Sequence, residues 1–164
     1  MSPREPLTFR EEVRSGDAQS VREIVDSTGF FHDHEIAVAE ELVAEGLQKG
    51  LDSGYRFLFA EQGGRMVGYS CYGEIACTEG SFDLYWIAVH NDFRSQGIGG
   101  ILLEKTEERI AALQGRIIWV ETSGREKYMP TRKFYLRCGY QEEAVLKGFY
   151  APDDDKVIYV KRLR

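Results

Sequence analysis

Residues 84–89 of this chain, Leu-Tyr-Trp-Ile-Ala-Val, form an apolar run of strand length. It runs into His-Asn-Asp and then into Arg94-Ser95-Gln96-Gly97-Ile98-Gly99-Gly100, and a segment of helical character follows over residues 101–113. A strand that hands a glycine-rich turn to a helix has few uses. Glycine lets the backbone close tightly, while the first N–H groups of the helix and the positive end of its dipole point at whatever lies there. Such a turn holds an anion. It is not a P-loop, because no Gly-Lys-Ser/Thr follows. It is not a dinucleotide fingerprint either: the third glycine is absent, Gly97-x-Gly99 continuing to Leu102, and the upstream strands read as hairpins rather than a βαβ unit.

Around this centre the pattern predicts an ordered series of elements. Residues 7–13 read as a first strand, and Asp17 as the N-cap of a helix over 18–27 with Val21, Ile24 and Val25 on one face. Residues 35–49 carry Ile36, Ala39, Leu42, Val43 and Leu47 at helical spacing. Strands over 55–61 and 65–75 flank Gln62-Gly63-Gly64 as a hairpin, and Glu79-Gly80 turns into the strand of the opening feature. Beyond the helix, Gly115 is the expected stop, residues 116–120 a short central strand ending at Glu121, and residues 122–128 a polar loop. Pro130 opens a helix over 131–137 that Gly139 ends, and residues 144–150 and 156–162 close the chain as a hairpin. The order β, α, α, β, β, β, α, β, α, β, β predicts one α+β domain over residues 1–164, with a mixed, mainly antiparallel central sheet flanked by helices.

Bulk properties narrow the function. A formal net charge of −6 over 164 residues lacks the basic footprint of a nucleic-acid binder, but an acidic surface suits a cationic substrate. Three cysteines without metal-ligand spacing argue against a disulfide framework and for a reducing compartment. The charged N-terminus has no apolar signal region, and no apolar run reaches the ~20 residues that span a bilayer. A cytoplasmic protein without a membrane partner is expected.

Two segments together resemble a known family. Arg94-x-x-Gly97-x-Gly99, preceded by Ile87-Ala88-Val89, is similar to the pyrophosphate loop and its strand in the Gcn5-related N-acetyltransferase (GNAT) superfamily. Phe134-Tyr135-x-x-x-Gly139-Tyr140 resembles that family's late helix, about 35 residues further on. The motifs lie between about residues 65 and 150, and the N-terminal helices match only in type and order.

The resemblance implies the acyl-coenzyme A N-acyltransferase (GNAT) fold and acetyl-coenzyme A as co-substrate. It implies an acetyl transfer to a primary amine, of a small molecule, by direct attack. Arg94, Ser95, Gln96, Gly97, Ile98, Gly99 and Gly100 would bind the pyrophosphate. The strands at 84–89 and 116–121 would splay, leaving the backbone of Ile87, Ala88 and Val89 to pair with the pantetheine arm like an added strand. Tyr135 takes the place of the family's general acid, where a phenol of pKa ~10 stays protonated to supply the leaving thiolate. Glu121 is the expected base, with Glu74 and Asp83 as rivals. Asp83 could instead hold a cationic acceptor, with Tyr85 and Trp86 as walls, and the helix at 35–49 would help wall the same pocket. One departure stands out: many members carry asparagine seven residues before the catalytic tyrosine, where this chain has Tyr128.

Other readings compete. An acyl-coenzyme A sensor without turnover would carry the same turn, and the acceptor could instead be a protein or peptide amine. Self-association into a homodimer stays open. His32-Asp33-His34 lacks further spaced ligands, so no metal is expected and a surface helix start explains it better. Cys138 has no paired histidine and reads as buried packing, and Asp153–Asp155 as a hairpin tip.

Overall fold

Glycine and side-chain alternation set the sheet. Gln62-Gly63-Gly64-Arg65 closes a hairpin with both glycines at positive φ, and Phe57 and Phe59, two residues apart, put stacked rings on one face of the strand, 5.7 Å between centroids. The computed structural model describes residues 4–164. Its elements are β1 (Thr8–Arg10), α1 (Asp17–Ser27), α2 (Asp33–Lys49), β2 (Arg56–Gln62), β3 (Arg65–Glu74), β4 (Ser81–Val89), α3 (Ile98–Ala112), β5 (Ile117–Ser123), α4 (Met129–Arg137), β6 (Gln141–Ala151) and β7 (Asp154–Arg162). The expected order of elements is the observed one. The strands form a seven-stranded sheet in the order β1-β2-β3-β4-β5-β7-β6. The pairs β1–β2, β2–β3, β5–β7 and β6–β7 are antiparallel and β4–β5 is parallel.

The chain divides into two compact units. The first runs through Gly73 and takes in Trp86–Glu108; the second comprises Glu74–Tyr85 and Arg109–Arg164. In the first, α1 and α2 bury Val21, Ile24, Val25, Ile36, Ala39 and Val43 with Phe57, Phe59, Tyr69 and Cys71 of β2 and β3. Each large side chain so buried contributes roughly 1.5–3 kcal/mol. Gly46 lets α2 approach, since a Cβ there would lie 2.6 Å from the Phe57 ring. On α3, the buried Thr106 hydroxyl donates to the Leu102 carbonyl at 2.8 Å, which leaves the Ser70 hydroxyl of β3, 2.7 Å away, to donate to it.

Several boundaries differ from the sequence expectation, each for a local reason. β1 is only three residues long, its ladder to β2 ending at Arg10. Asp17 is not the N-cap of α1: Gly16, at φ 95°, holds that position. The Asp17 carboxylate accepts from the Arg14 N–H at 2.6 Å and from the Arg10 guanidinium at 2.8 and 2.9 Å, and Arg10 also reaches Glu61 at 2.7 Å. α3 starts three residues early because the Gly97 carbonyl already accepts the Ile101 N–H, at 3.2 Å. β5 runs on to Ser123, because its ladder with β7 does. Glu121 therefore sits inside a strand rather than at its end.

Gly115 also works differently from a simple helix stop. The left-handed residue after α3 is Gln114, at φ 67°. Its N–H bonds the Ala111 carbonyl at 3.0 Å and the Gly115 N–H bonds the Ile110 carbonyl at 2.9 Å, the paired bonds of a Schellman motif. Gly115 is needed for space, since a Cβ there would lie 2.3 Å from Ile110 Cγ2 and 2.8 Å from the Ile110 carbonyl oxygen. We expect Gly115→Ala to destabilise by about 1–3 kcal/mol through overpacking. Gln114→Gly, which relieves a left-handed side chain, should stabilise by about 0.5–1 kcal/mol. Thermal unfolding checks both, with roughly 2–4 °C of Tm for each kcal/mol at this chain length.

Candidate active site

In the first unit, β4 delivers Ile87, Ala88 and Val89 to the turn, with Ala88 buried and its neighbours half-buried. The exit is pinned. The His90 N–H bonds the Val67 carbonyl at 2.8 Å, the His90 ring accepts the Asp92 N–H at 3.1 Å, and the Asn91 N–H bonds the Ser27 hydroxyl at 3.0 Å. Arg94 is exposed and extended, its guanidinium 3.2 Å from the Asn91 side-chain oxygen. Ser95 (φ 62°) and Gly97 (φ 78°) then take left-handed backbone and bend the chain into α3 at Ile98. The N–H groups of Ile98, Gly99 and Gly100 lie in the first turn, which has no intrahelical acceptors to offer them. No acidic residue occupies that turn. Arg94, an exposed Ser95, the half-buried Gln96 and a 15-residue helix pointing its N-terminus outward form a donor set that fits a pyrophosphate.

The ladder between β4 and β5 is short. It pairs Ser81, Phe82 and Asp83 with Ile117, Ile118 and Trp119, after which β5 continues on its ladder to β7.

In the second unit, register sorts the side chains. Cross-strand partners share a face, and neighbours along a strand alternate. Asp83 opposes Trp119; Glu121 opposes Ile158, and Ser123 opposes Lys156. These residues share one face with Tyr85, which is 42 % exposed. Phe82, Ile118, Val120, Val157 and Tyr159 are buried on the other face. Tyr135 of α4 packs on that second face, its ring 6.1 Å from that of Tyr159. Asp83 and Glu121 thus lie on the face of the sheet opposite the candidate phenol.

On the open face, Glu121 Oε2 lies 2.7 Å from Lys156 Nζ. That ammonium also sits 3.9 Å from the centre of the Phe149 ring. Burial pushes the Asp83 carboxyl above the usual carboxylate range, Glu121 adds to the shift, and Lys156 opposes it. Tyr150 is pushed up to about 12 by burial and by the charges of Glu121 and Asp154. Phe149 reaches Lys156 because β6 breaks register between Leu146 and Ala151, with Gly148 at φ 65°. Asp155 fixes the irregularity by accepting the Gly148 N–H at 2.9 Å and pairing with Lys147 at 3.1 Å, contacts that hold its carboxyl below the usual range. Asp154, meanwhile, is buried against the Ser123 hydroxyl and Arg125. The acidic run is therefore structural, more than a solvated hairpin tip.

The seat of Tyr135 follows from the local sequence. Gly139, at φ 90°, ends α4 in a second Schellman motif: the Tyr140 N–H bonds the Tyr135 carbonyl at 3.0 Å and the Gly139 N–H bonds the Leu136 carbonyl at 3.2 Å. That motif brings the side chains five residues apart together, and the Tyr135 and Tyr140 rings are 5.6 Å apart. The Lys161 ammonium, 2.9 Å from the Cys138 carbonyl, covers the helix end. Tyr135 is 5 % exposed, and burial raises its phenol well above the ordinary value. Arg132 ties α4 to the loop after β5 through the Ser123 and Arg125 carbonyls, at 2.8 and 2.7 Å. Tyr128, at the departure from the family pattern, is half-buried at the N-cap of α4. Cys138 is half-buried rather than buried.

The remaining candidates are dispersed. Glu74 lines a cavity of about 400 Å³ with Thr78, Ser81, Phe82, Arg116 and Arg164, and neither Asp83 nor Glu121 lines it. Trp86 is turned into the first unit, its ring 5.1 Å from Phe31, so it does not stand beside Tyr85 as a wall. His32 and His34 stack at 5.6 Å at the start of α2, where His32 and Glu35 form a capping box. Among the described residues, no group of three or more His, Cys, Asp or Glu side chains is placed to hold a metal ion, and no helix is long and apolar enough to cross a membrane. Lys156, Phe149 and Tyr150 join the candidate groups without any motif of their own. Their only signal is the pairing register of β7, which no single segment encodes.

The chain is similar to known proteins in sequence and in fold. The chain matches the Acetyltransferase (GNAT) domain family over residues 53–142. It is similar to the crystal structure of a protein assigned to the GNAT acetyltransferases of Desulfovibrio desulfuricans, at 46 % identity and TM-score 0.95, covering 97 % of this chain and 100 % of that one. An uncharacterised N-acetyltransferase of Methanocaldococcus jannaschii is 30 % identical over 109 residues, a stretch that spans 65 % of each chain. A solved aminoglycoside 6'-N-acetyltransferase complexed with coenzyme A shares the fold, with TM-score 0.73 at 15 % identity over 97 % of both chains. The chain belongs to the GNAT acetyltransferase family.

Proposed function

We propose that the chain works as a single domain that transfers an acetyl group from acetyl-coenzyme A to the primary amine of a small molecule, by direct attack. The observation that carries this reading is the sorting of Glu121 and Asp83 to one face of the sheet and Tyr135 to the other. A proton is taken from the amine on the face that holds the exposed Glu121 and the half-buried Asp83, and one is delivered to the leaving sulfur where a phenol is buried. The two tasks do not compete for one group.

Each residue then has a stated task. The first-turn N–H groups of α3 and Arg94 hold the pyrophosphate, and the backbone of Ile87, Ala88 and Val89 pairs with the extended amide arm. When bound, the co-substrate supplies the activated thioester carbonyl. Glu121 removes the proton from the amine. Tyr135, kept protonated by burial, gives a proton to the departing thiolate. A second reading exchanges the roles of the carboxylates: Asp83 has the raised proton affinity that suits a base, and Glu121 is engaged by Lys156. The coenzyme A complex of the aminoglycoside enzyme supports the co-substrate, and its acceptor class supports a small amine. Cys71, Cys77 and Cys138 are not joined in disulfides, which fits a reducing compartment, and the cytoplasm is the location we propose.

Three measurements test this. Gly99→Asp sets a carboxylate among the donors of the turn and should weaken coenzyme A binding by at least tenfold with a native circular dichroism spectrum; unchanged binding removes the turn from the site. Tyr135→Phe should lower kcat by about 10²-fold with little change in KM. In the parent chain the raised phenol keeps its proton, so Tyr135 should cause no alkaline loss of rate up to about pH 10. Full turnover of the variant at every pH rules out the acid role. Glu121→Gln and Asp83→Asn, compared in thiol release, identify the base: its loss abolishes the acid limb of kcat/KM. In Asp83's case that limb lies above the usual carboxylate range, since activity needs the ionised form and its pKa is raised.

A further inference from the structure

Lys156 is the feature that the proposed chemistry leaves without a task. Its side chain is only 11 % exposed, yet its ammonium is held on the open face of the second unit's sheet. It is 2.7 Å from Glu121 and 3.9 Å from the centre of the Phe149 ring, and it lies within electrostatic reach of Asp83. A carboxylate and an aromatic face are the two groups by which proteins recognise an organic ammonium. Here they surround one that the chain itself provides.

We infer that Lys156 is a specificity residue that limits the acceptor to a single cationic amine carried on an apolar body. The inference rests on the acetyltransferase reading. Two carboxylates, Asp83 and Glu121, face one fixed ammonium, so the group has one negative charge left over. One substrate ammonium neutralises it, whereas a second would meet Lys156. The surrounding surface suits an apolar body: Tyr85, Phe149 and Tyr150 are 42 %, 54 % and 47 % exposed. Other charges nearby are already matched. Arg125 pairs with Asp153 at 2.9 Å and with Asp154 at 3.5 Å, and Lys147 pairs with Asp155. The groups that bear on the two carboxylates are thus Lys156 of β7, which faces both, and Tyr150 of β6, which faces Glu121; Asp154 and Tyr128 act on Tyr150 itself.

The test compares the parent chain, Lys156→Met and Lys156→Arg in thiol release from acetyl-coenzyme A. The acceptors are phenethylamine, 1,4-diaminobutane and mono-N-acetyl-1,4-diaminobutane. The parent chain should favour the two monocations. Lys156→Met should shift kcat/KM toward the diamine by on the order of tenfold, through KM, because one unit of fixed charge has gone from a partly desolvated site. Where Asp83 is the base, the acid limb should also move to higher pH, since that carboxylate loses the cation that favours its ionised form. Lys156→Arg should keep the parent ratio and limb. An unchanged ratio and limb in a folded Lys156→Met overturns the inference alone. So does a parent chain that turns over the diamine more than tenfold better than its monoacetyl form, a result that needs no variant. A parent chain that releases no thiol with any amine overturns the acetyltransferase reading, and this inference with it.

Discussion

The seven-residue ladder between β5 and β7 governs the second unit. It fixes which side chains of residues 117–123 face α4 and which face away. A slip of one residue would bury Glu121 against the aromatic seat of Tyr135 and expose Val120. The burial of Ile118, Val120, Val157 and Tyr159 on one face holds the register against that slip. Lys156 reaches Glu121, and Tyr135 meets Tyr159, as consequences of the same pairing. Hydrophobic sorting, rather than any single polar contact, places the polar groups.

Much of this architecture is written in local patterns. The three hairpins, the glycine turn and the four helices follow from period and punctuation, and their order was legible throughout. The seat of Tyr135 was legible too, because Tyr-x-x-x-Gly-Tyr encodes both the left-handed stop and the ring pair five residues apart. What escaped the sequence depends on partners far along the chain. Asp17 reads as a cap until Arg10, itself held by Glu61, claims its carboxylate. Gly115 reads as a stop until Ile110 shows that its role is space. Lys156 looks like any strand-start lysine until Ser123 is seen opposite it and Phe149 beneath it.

The two Schellman motifs make a useful contrast. After α4 the left-handed position is glycine and the next residue is a packing tyrosine; after α3 it is glutamine and the next residue is glycine. The first order suits a helix end that must hold a ring. The second suits one that must let Phe82 and Ile110 crowd the backbone. Identical hydrogen bonding thus serves two packing demands, with the side chains exchanged.

The two units interleave along the chain, since Glu74–Tyr85 belongs with residues beyond Arg109. During synthesis the first unit has all its parts once Glu108 has emerged, about two thirds of the way along. The apolar Ile117–Val120 segment, by contrast, must wait for β7, the last strand of this sheet in chain order, to cover its edge. Until then it is a strand with unsatisfied backbone groups and a high tendency to pair with other chains. The same ladder that sorts the site at the end of folding makes the nascent second unit the part most in need of protection before it.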